Sequence, residues 1–365
     1  MKFQKENVAM HVILSGYYGF DNAGDEAILH SIIAALRREN PSLEITVLSN
    51  HPHQTEKTFR VKSVNRHRFA EINQVMRKAD GLISGGGSLF QDVTSSRSLL
   101  YYAGVIQLAR FHKVPVCIYA QGIGPLRRFS SKRLVSYLFN RSQYISVRDK
   151  DSKLFLQMIG VKEAIQVVPD PVLGLQTSFP EKKPSKIICV AVRAWLDHHA
   201  YKKQLAVCLD RLYQQGYTIA FLPMHGQQDY AASLEIQQAM QAPSNVLPVH
   251  SSFTEKMAHI HQADVLIGMR LHALIFAAMS LTPFVALSYD PKIDALTKQF
   301  EQSVIGHVDQ LNWTAETLFK QVRKLLDAEE KHPALWQQVE QFHREAQATA
   351  TTALNTFRRY RNGSE

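Results

Sequence analysis

The chain of 365 residues is poor in cysteine and has no long apolar run. Its three cysteines, Cys117, Cys189 and Cys208, lie in apolar segments without CxxC spacing. We therefore expect reduced core residues rather than disulfides or a zinc site. No stretch approaches the ~18 apolar residues of a membrane-spanning helix. The apolar stretch within residues 1–16 is short and broken by His11, unlike a secretory signal. These absences predict a cytoplasmic protein.

Several short motifs of known chemistry are absent as well. The sequence has no GK[ST] phosphate loop, no GxGxxG and no HExxH, and no carboxylate cluster has metal-ligand spacing. Zinc fingers, RNP-like aromatic strands and compact basic helices are also missing, which disfavours nucleic acid as a partner. We expect neither a metal nor a bound cofactor.

Positive charge is what the chain has in excess. Lys and Arg number 42 against 32 Asp and Glu, giving a net charge of +10, and they are scattered along the sequence. This distribution fits a solvated basic surface, or attraction to polyanions such as phosphorylated metabolites and anionic lipid headgroups.

Short apolar runs alternate with helix-length segments, which is typical of parallel, doubly wound α/β sheets. The alternation pauses at 178–185, where two prolines and three charges indicate a linker, and a second series of strands then begins. The predicted organisation is an N-terminal Rossmann-like domain over 1–178, a linker over 179–185, a second Rossmann-like domain over 186–331 and a helical tail over 332–365 that can pack back on the first domain.

Loops that follow the strands carry the candidate site residues, because open α/β sheets bind ligands at that edge. The loop over 16–26 contains three glycines together with Phe20 and Asn22. Its end leads into a helix that Asp25 is placed to cap. Either a plain strand–helix turn or a ligand-binding loop fits this pattern.

A second glycine-rich loop follows another strand, and an arginine follows a third. Gly86 and Gly87 belong to a run of three glycines, which permits close approach of a ligand or of a neighbouring loop. Asp92 ends this loop as a helix cap or as a group facing the cleft. Arg148 directly follows the strand at 144–147 and has Asp149 beside it as an ion-pair partner or helix cap.

The strongest pattern lies in the second domain, where Arg270, Leu271 and His272 follow an apolar run that ends in glycine. A helix that begins at this point offers unpaired N–H groups, and the guanidinium adds a planar fork for carboxylate or phosphate. Arg193 and His225 also follow strands. The sequence therefore predicts chemistry on an acidic small molecule.

Five of these motifs occur in the order typical of polysaccharide pyruvyl transferases, and the chain most resembles the CsaB-like branch over about residues 10–310. The motifs are GFDNAGDE at 19–26, GGGSLFQD at 85–92, QGIGP at 121–125, SVRD at 146–149 and GMRLH at 268–272.

The resemblance implies a GT-B-like fold, with two Rossmann-type domains and the active site in the cleft. It implies transfer of pyruvate from phosphoenolpyruvate to a sugar as a 4,6-linked ketal, usually without a metal. The implied acceptor is the ManNAc of a lipid-diphosphate-linked ManNAc–GlcNAc at the inner face of the cell membrane. The polymer made from it would anchor S-layer proteins that carry SLH domains.

The resemblance assigns phosphoenolpyruvate binding to Arg148 and Arg270, and two cations suit a donor that carries both carboxylate and phosphate. Leu271, Gly86 and Gly87 complete the expected donor site. We expect His272 to transfer protons. Asp92 or Asp25 is the complementary acid or base, and the residues do not choose between them. The predicted acceptor or cleft residues are Asn22, Phe20, Arg193 and His225.

Two other functions remain open. A nucleotide-sugar glycosyltransferase would use the same scaffold, because fold does not fix function. It would need an acid that contacts ribose in the second domain, where Asp229 and Glu235 are available. A non-catalytic protein that binds anionic surfaces would also explain the charge, and it predicts salt-sensitive adhesion to vesicles.

Overall fold

The computed structural model describes residues 9–92, 96–183, 185–195, 199–328 and 333–363. Pro184 of the predicted linker, and residues 332, 364 and 365 of the predicted tail, lie outside this part of the chain. The described residues form two compact units. The first comprises Met1–Phe20, Asp25–Leu175 and Phe342–Glu365, and the second comprises Asp21–Gly24 and Gln176–Gln341.

The first unit contains a parallel seven-stranded sheet in the order β3-β2-β1-β4-β5-β6-β7. Its strands are β1 His11–Ser15, β2 Glu44–Ser49, β3 Lys62–Asn65, β4 Gly81–Gly85, β5 Val116–Gln121, β6 Tyr144–Val147 and β7 Ile165–Val167. The helices are α1 Ala23–Glu39, α2 Pro52–Phe59, α3 Phe69–Met76, α4 Ser96–Phe111, α5 Phe129–Phe139 and α6 Lys150–Met158. The reversal of strand order at β1 and β4 is the kind of point where open sheets bind ligands.

The second unit contains a parallel six-stranded sheet in the order β10-β9-β8-β11-β12-β13. Its strands are β8 Ile187–Ala191, β9 Thr218–Phe221, β10 Asn245–Val246, β11 Val265–Gly268, β12 Phe284–Ser288 and β13 Ser303–His307. The helices are α7 His199–Gln214, α8 Gly226–Ala239, α9 Phe253–Gln262, α10 Leu271–Met279, α11 Pro291–Gln299 and α12 Ala315–Leu326. The predicted doubly wound α/β class is confirmed for both units.

The central strands are buried because helices cover both faces of each sheet. In the first unit, Ile13, Leu82 and Ile118 belong to one apolar cluster, and Val190 and Ile267 belong to the cluster of the second. All three cysteines are buried. Burial raises the pKa of Cys189 and of Cys208 to about 12, so these thiols stay protonated near neutral pH.

The long C-terminal helix, α13 Pro333–Arg361, contributes its second half to the first unit. Phe357 is fully buried and lies against Gly81 at the start of β4. Nδ1 of His343 lies 3.0 Å from the carbonyl oxygen of Leu173, at hydrogen-bonding distance. The second half of the last helix is therefore part of the core of the first unit.

One predicted helix boundary is wrong. We expected Asp25 to cap the first helix, but α1 already begins at Ala23 and Asp25 lies in its first turn. Asn22 lies just before the helix, and its side-chain oxygen accepts the N–H of Gly24 at 3.1 Å. Its carboxamide therefore takes the capping role that we had given to Asp25.

Candidate functional site

The junction between β11 and α10 holds Arg270 and His272 on a rigid base. The strand is fully buried, and α10 buries every residue except His272, because the helix is apolar on nearly all sides. Arg270 occupies the N-cap position, and its carbonyl accepts the N–H groups of Ala273 and Leu274. Leu271, the first residue of the helix, is buried.

Asp229 fixes the direction of the Arg270 side chain. Nε of Arg270 donates to Oδ2 of Asp229 at 2.8 Å, and Nη2 donates to Oδ1. The carboxylate also accepts the backbone N–H groups of Met224 at 3.1 Å and His225 at 2.9 Å. Asp229 is fully buried, whereas the Arg270 side chain keeps 14% of its exposure. The carboxylate therefore holds one edge of the guanidinium in place.

Residues 21–24 also belong to the second unit and contact this junction. Asn22 forms an isolated antiparallel bridge with His225, and the N–H of Ala23 donates to the carbonyl of Met224 at 2.9 Å. Gly24 lies against the ring of His272, and a Cβ atom there would overlap the imidazole. The structure thus brings Asn22, His225 and His272 together, and it gives Gly24 a steric reason to lack a side chain.

Two nearby basic groups are affected by burial. Burial lowers the pKa of His225, and the charge of Arg270 lowers it further, so this imidazole is neutral near pH 7. Lys256 is 2% exposed, and its Nζ donates to the carbonyl of Val249 at 3.2 Å. Burial lowers the pKa of Lys256, while the negative charges of Asp229 and Asp21 oppose that shift. The sequence reasoning missed Lys256, because nothing in the pattern of α9 marks it as buried.

Arg193 lies after β8 beside two aromatic rings. Its guanidinium carbon is 5.2 Å from the ring centroid of Trp195 and 4.7 Å from that of Tyr289. The two rings lie 4.7 Å apart at 48°. Such a surface can contact a sugar ring and an anion together. Its predicted role toward the acceptor stays a prediction.

Arg148, in the first unit, is buried at the end of β6 and already has acidic neighbours. Nη1 lies 3.4 Å from Asp170, and Nη2 donates to Oγ of Ser88 at 3.0 Å. Asp149 lies 3.8 Å from Nε and also caps α6 by accepting the N–H of Ser152, so both roles that we considered for Asp149 are present. The predicted donor contact of Arg148 stays a prediction.

The glycine-rich loop after β4 has a clear packing role. Gly86 and Gly87 have φ of 68° and 67°, which glycine adopts without strain. A Cβ atom on Gly86 would overlap Ile28, and one on Gly87 would approach Oδ1 of Asp25 to 2.8 Å. The carbonyl of Gly87 accepts the N–H of Gly122 at 2.9 Å. Substrate binding by these glycines stays a prediction.

Asp92 holds the backbone that leads into α5. Its oxygens accept the N–H groups of Arg127 at 2.7 Å and Arg128 at 2.9 Å. Burial alone would raise the pKa of Asp92, but hydrogen bonds from Arg127, Arg128 and Ser131, together with the charge of Arg128, lower the pKa overall. A carboxylate that stays ionised and already accepts hydrogen bonds is a poor proton donor near neutral pH.

Phe20 contacts Arg66, a residue that the sequence analysis did not identify. Its ring stacks on Tyr17 at 4.1 Å and 7°, and the guanidinium carbon of Arg66 lies 5.1 Å from the Phe20 centroid. Arg66 directly follows β3, a short polar strand that we did not predict. Strand assignment there was the signal that would have placed Arg66 among the candidates.

The family model described as polysaccharide pyruvyl transferase matches residues 22–291. The chain belongs to this family. It is therefore a pyruvyl transferase, and its family acts in polysaccharide biosynthesis. The amylovoran biosynthesis protein AmsJ of Erwinia amylovora is 20% identical, over 80% of this chain and 86% of that protein.

Solved structures resemble this member of the family over nearly its full length. A putative UDP-N-acetylglucosamine 2-epimerase from Listeria monocytogenes matches with a TM-score of 0.68 and 11% identity, covering 98% of both chains. UDP-GlcNAc 2-epimerase from Neisseria meningitidis, solved with UDP-GlcNAc bound, matches with 0.62 and 13% identity, covering 94% of this chain and 99% of the other. These similarities confirm the GT-B-like fold class.

The described residues also bear on two other classes of site. No described helix is long and apolar enough to cross a membrane. No three His, Cys, Asp or Glu side chains in this part of the chain form a cluster that could hold a metal ion.

Proposed function

We propose that the protein transfers pyruvate from phosphoenolpyruvate to the ManNAc of a lipid-diphosphate-linked ManNAc–GlcNAc, forming a 4,6-linked ketal and releasing phosphate. The product would enter a secondary cell wall polymer that anchors S-layer proteins through their SLH domains. The observation that carries the proposal is that Arg270 is held by the buried carboxylate of Asp229, two residues before His272, in a pyruvyl transferase.

Arg270 is suited to bind an oxyanion of the donor. Two of its donor groups are engaged by Asp229, which leaves the guanidinium oriented and its charge close to the start of α10. The helix start adds N–H groups and positive dipole, both of which favour a carboxylate or phosphate. Preorganisation of this kind lowers the cost of ordering the side chain when the ligand binds.

The proposed reaction begins with a proton added to the methylene carbon, which becomes a methyl group while C2 gains oxocarbenium character. One sugar hydroxyl adds at C2 and loses its proton. The C2–O bond to phosphate then breaks, and phosphate leaves with the bonding electrons. The second hydroxyl adds at C2, closes the ketal and loses its proton. Of the two protons released by the sugar hydroxyls, one returns to the acid that protonated the methylene carbon, and the other ends on the released phosphate.

His272 is our candidate for the proton transfers, since imidazole both accepts and donates protons near neutral pH. Asp25 is the better complementary acid, because the Asp92 carboxylate already accepts two backbone N–H groups and has a lowered pKa. This chemistry requires no metal or cofactor. The acceptor's lipid would bring the protein to the inner face of the cell membrane, and no nucleic acid takes part.

The glycosyltransferase alternative lacks a suitable acid at the two positions that we considered. Asp229 is fully buried and bonded to Arg270, and Glu235 pairs with Lys202. Ribose binding by either carboxylate would require these contacts to break.

The decisive experiment incubates the purified protein with phosphoenolpyruvate and synthetic ManNAc–GlcNAc-diphosphate lipid. Mass spectrometry should find a pyruvylated lipid, and released phosphate should match it in amount. Arg270→Gln and His272→Gln should each lose this activity, whereas Arg323→Gln, at an exposed pair with Asp327, should keep it. Product from UDP-GlcNAc instead of phosphoenolpyruvate, or full activity of both site variants, would contradict the proposal.

A further inference from the structure

Arg66 lies at the edge of the first sheet where ligands are expected. It follows β3 directly, and its backbone N–H donates to the carbonyl of Ser49 at the end of β2. Its side chain reaches toward the end of β1, where Nη1 lies 3.4 Å from the carbonyl of Gly16. These are carboxyl ends of parallel strands, the edge that binds ligands in open α/β sheets.

The positive charge of Arg66 is buried without a carboxylate partner among the residues that the structure describes. The residue is 6% exposed. Its side-chain hydrogen bonds, to the carbonyl of Gly16 and the hydroxyl of Tyr102, are both 3.4 Å long, and its Nε has no partner. Arg148 and Arg270, by contrast, are each paired with a buried aspartate. Buried charges are normally paired, because the desolvation penalty is several kcal/mol.

Aromatic rings hold the guanidinium in place without neutralising it. The guanidinium carbon lies 4.0 Å from the ring centroid of Tyr101, 5.1 Å from Phe20 and 5.3 Å from Tyr102. Cation–π contacts stabilise a desolvated guanidinium and fix its plane. They use the faces of the group and leave its edge N–H donors available for an oxyanion.

The charges of Asp25, our candidate acid, and of Arg66 both shift the pKa values of two tyrosines, Tyr17 and Tyr102. For Tyr17, burial comes first in raising the pKa; Asp25 raises it further and Arg66 lowers it. For Tyr102, burial again raises the pKa most, and Arg66 and Asp25 again act in opposite directions. Arg66 therefore lies within electrostatic range of the same groups as a proposed catalytic carboxylate.

We propose that Arg66 is a substrate-binding residue whose edge donors take an oxyanion, a phosphate or a carboxylate, at the end of the first sheet. The identity of that oxyanion rests on the proposed function, which offers two sources. One is phosphoenolpyruvate, and the other is the diphosphate of the lipid-linked acceptor. A bound anion would supply the counter-charge that the described residues do not give to Arg66.

The test compares wild type with Arg66→Gln, Arg66→Lys and the control Arg68→Gln, whose exposed side chain pairs with Glu71. Calorimetric titration with inorganic phosphate, in chloride buffer of constant ionic strength, should show binding to wild type and to the control. Affinity should fall about 10- to 100-fold in Arg66→Gln, since hydrogen bonds to charged groups are lost. Arg66→Lys should also bind more weakly, because the planar fork is gone. Unchanged affinity in both Arg66 variants would overturn the inference.

Stability without ligand separates binding from a purely structural role. Removal of a buried, unneutralised charge should leave the midpoint of denaturation of Arg66→Gln unchanged or higher in phosphate-free buffer. A structural role predicts a large loss instead. If Arg66→Gln does not fold, this expectation fails and the inference with it.

Titrations with phosphoenolpyruvate, and with the disaccharide carrying or lacking its diphosphate, identify the source of the anion. The ligand whose affinity depends on Arg66 is the one that it binds. Phosphate binding requires no turnover, so loss of pyruvyl transfer from phosphoenolpyruvate would defeat the proposed function and leave the Arg66 site standing. Arg66-independent binding of every anion would defeat the site and leave the function standing.

Discussion

The Arg270–Asp229 pair offers a test of how the site is held together. Asp229 accepts two hydrogen bonds from Arg270 and two from backbone N–H groups. Asp229→Asn keeps the shape but presents an NH₂ group to donors and leaves the buried guanidinium without its counter-charge. Removing one partner of a buried pair costs about 3–5 kcal/mol. The melting temperature should fall by roughly 10 °C, at 2–4 °C per kcal/mol for a unit of this size.

A double-mutant cycle with Arg270→Gln measures the coupling directly by urea denaturation followed by circular dichroism. Each single variant leaves an unpaired buried charge, so the double variant should lose less than the sum of the two by at least about 1 kcal/mol. The control is Arg211→Gln, at the exposed pair with Glu316, and it should remain near wild-type stability. Losses that add within about 0.5 kcal/mol would refute the idea that Asp229 and Arg270 act as one unit.

Three further predictions follow from the same contacts. Gly24→Ala should displace the His272 ring and lower the rate of pyruvyl transfer roughly 10- to 100-fold. The control Gly104→Ala, which adds a methyl group in open space, should keep the wild-type rate. Equal rates for the two variants would show that the position of the His272 ring does not matter. The pKa of His225 is lowered in the folded state, so as the pH falls the unfolded state takes up the proton first, and the free energy of unfolding decreases below the ordinary pKa of 6.5. The free energy of unfolding of His225→Gln should therefore depend less on pH between pH 7 and 5 than that of wild type. The same pH dependence in both proteins would contradict this prediction. Asp92→Ala should lower the free energy of unfolding by about 1–2 kcal/mol, because the backbone N–H groups of Arg127 and Arg128 lose their acceptor; no loss would show that Asp92 does not hold this backbone.

The central strands were predictable because parallel strands covered on both faces are continuous apolar runs. The four edge strands, β3, β7, β10 and β13, were all missed, because they are short or carry polar and partly exposed residues. α2 was missed for a related reason, since PHQTEKTF has little apolar pattern. Local sequence therefore revealed the sheet interiors better than their edges.

The residues of the candidate site were likewise predicted only in part. Arg270 and His272 were found because they lie within four residues of the end of a buried strand. Asp229 was considered only as a ribose contact of the alternative function. Lys256 and Arg66 were not recognised at all. The importance of these residues comes from burial and from partners distant in sequence. No spacing rule connects Asp229 to Arg270, which lies 41 residues away.

The most direct test of the central claim is the fate of the oxygen that bridges C2 and phosphorus in the donor. Phosphoenolpyruvate carrying a heavy-oxygen label at this position is incubated with the lipid-linked acceptor, and both products are weighed by mass spectrometry. Our account predicts that all of the label leaves in phosphate and that the ketal contains none, because the C2–O bond breaks. Label retained in the glycan product, or a phosphorylated glycan in place of the ketal, would contradict it.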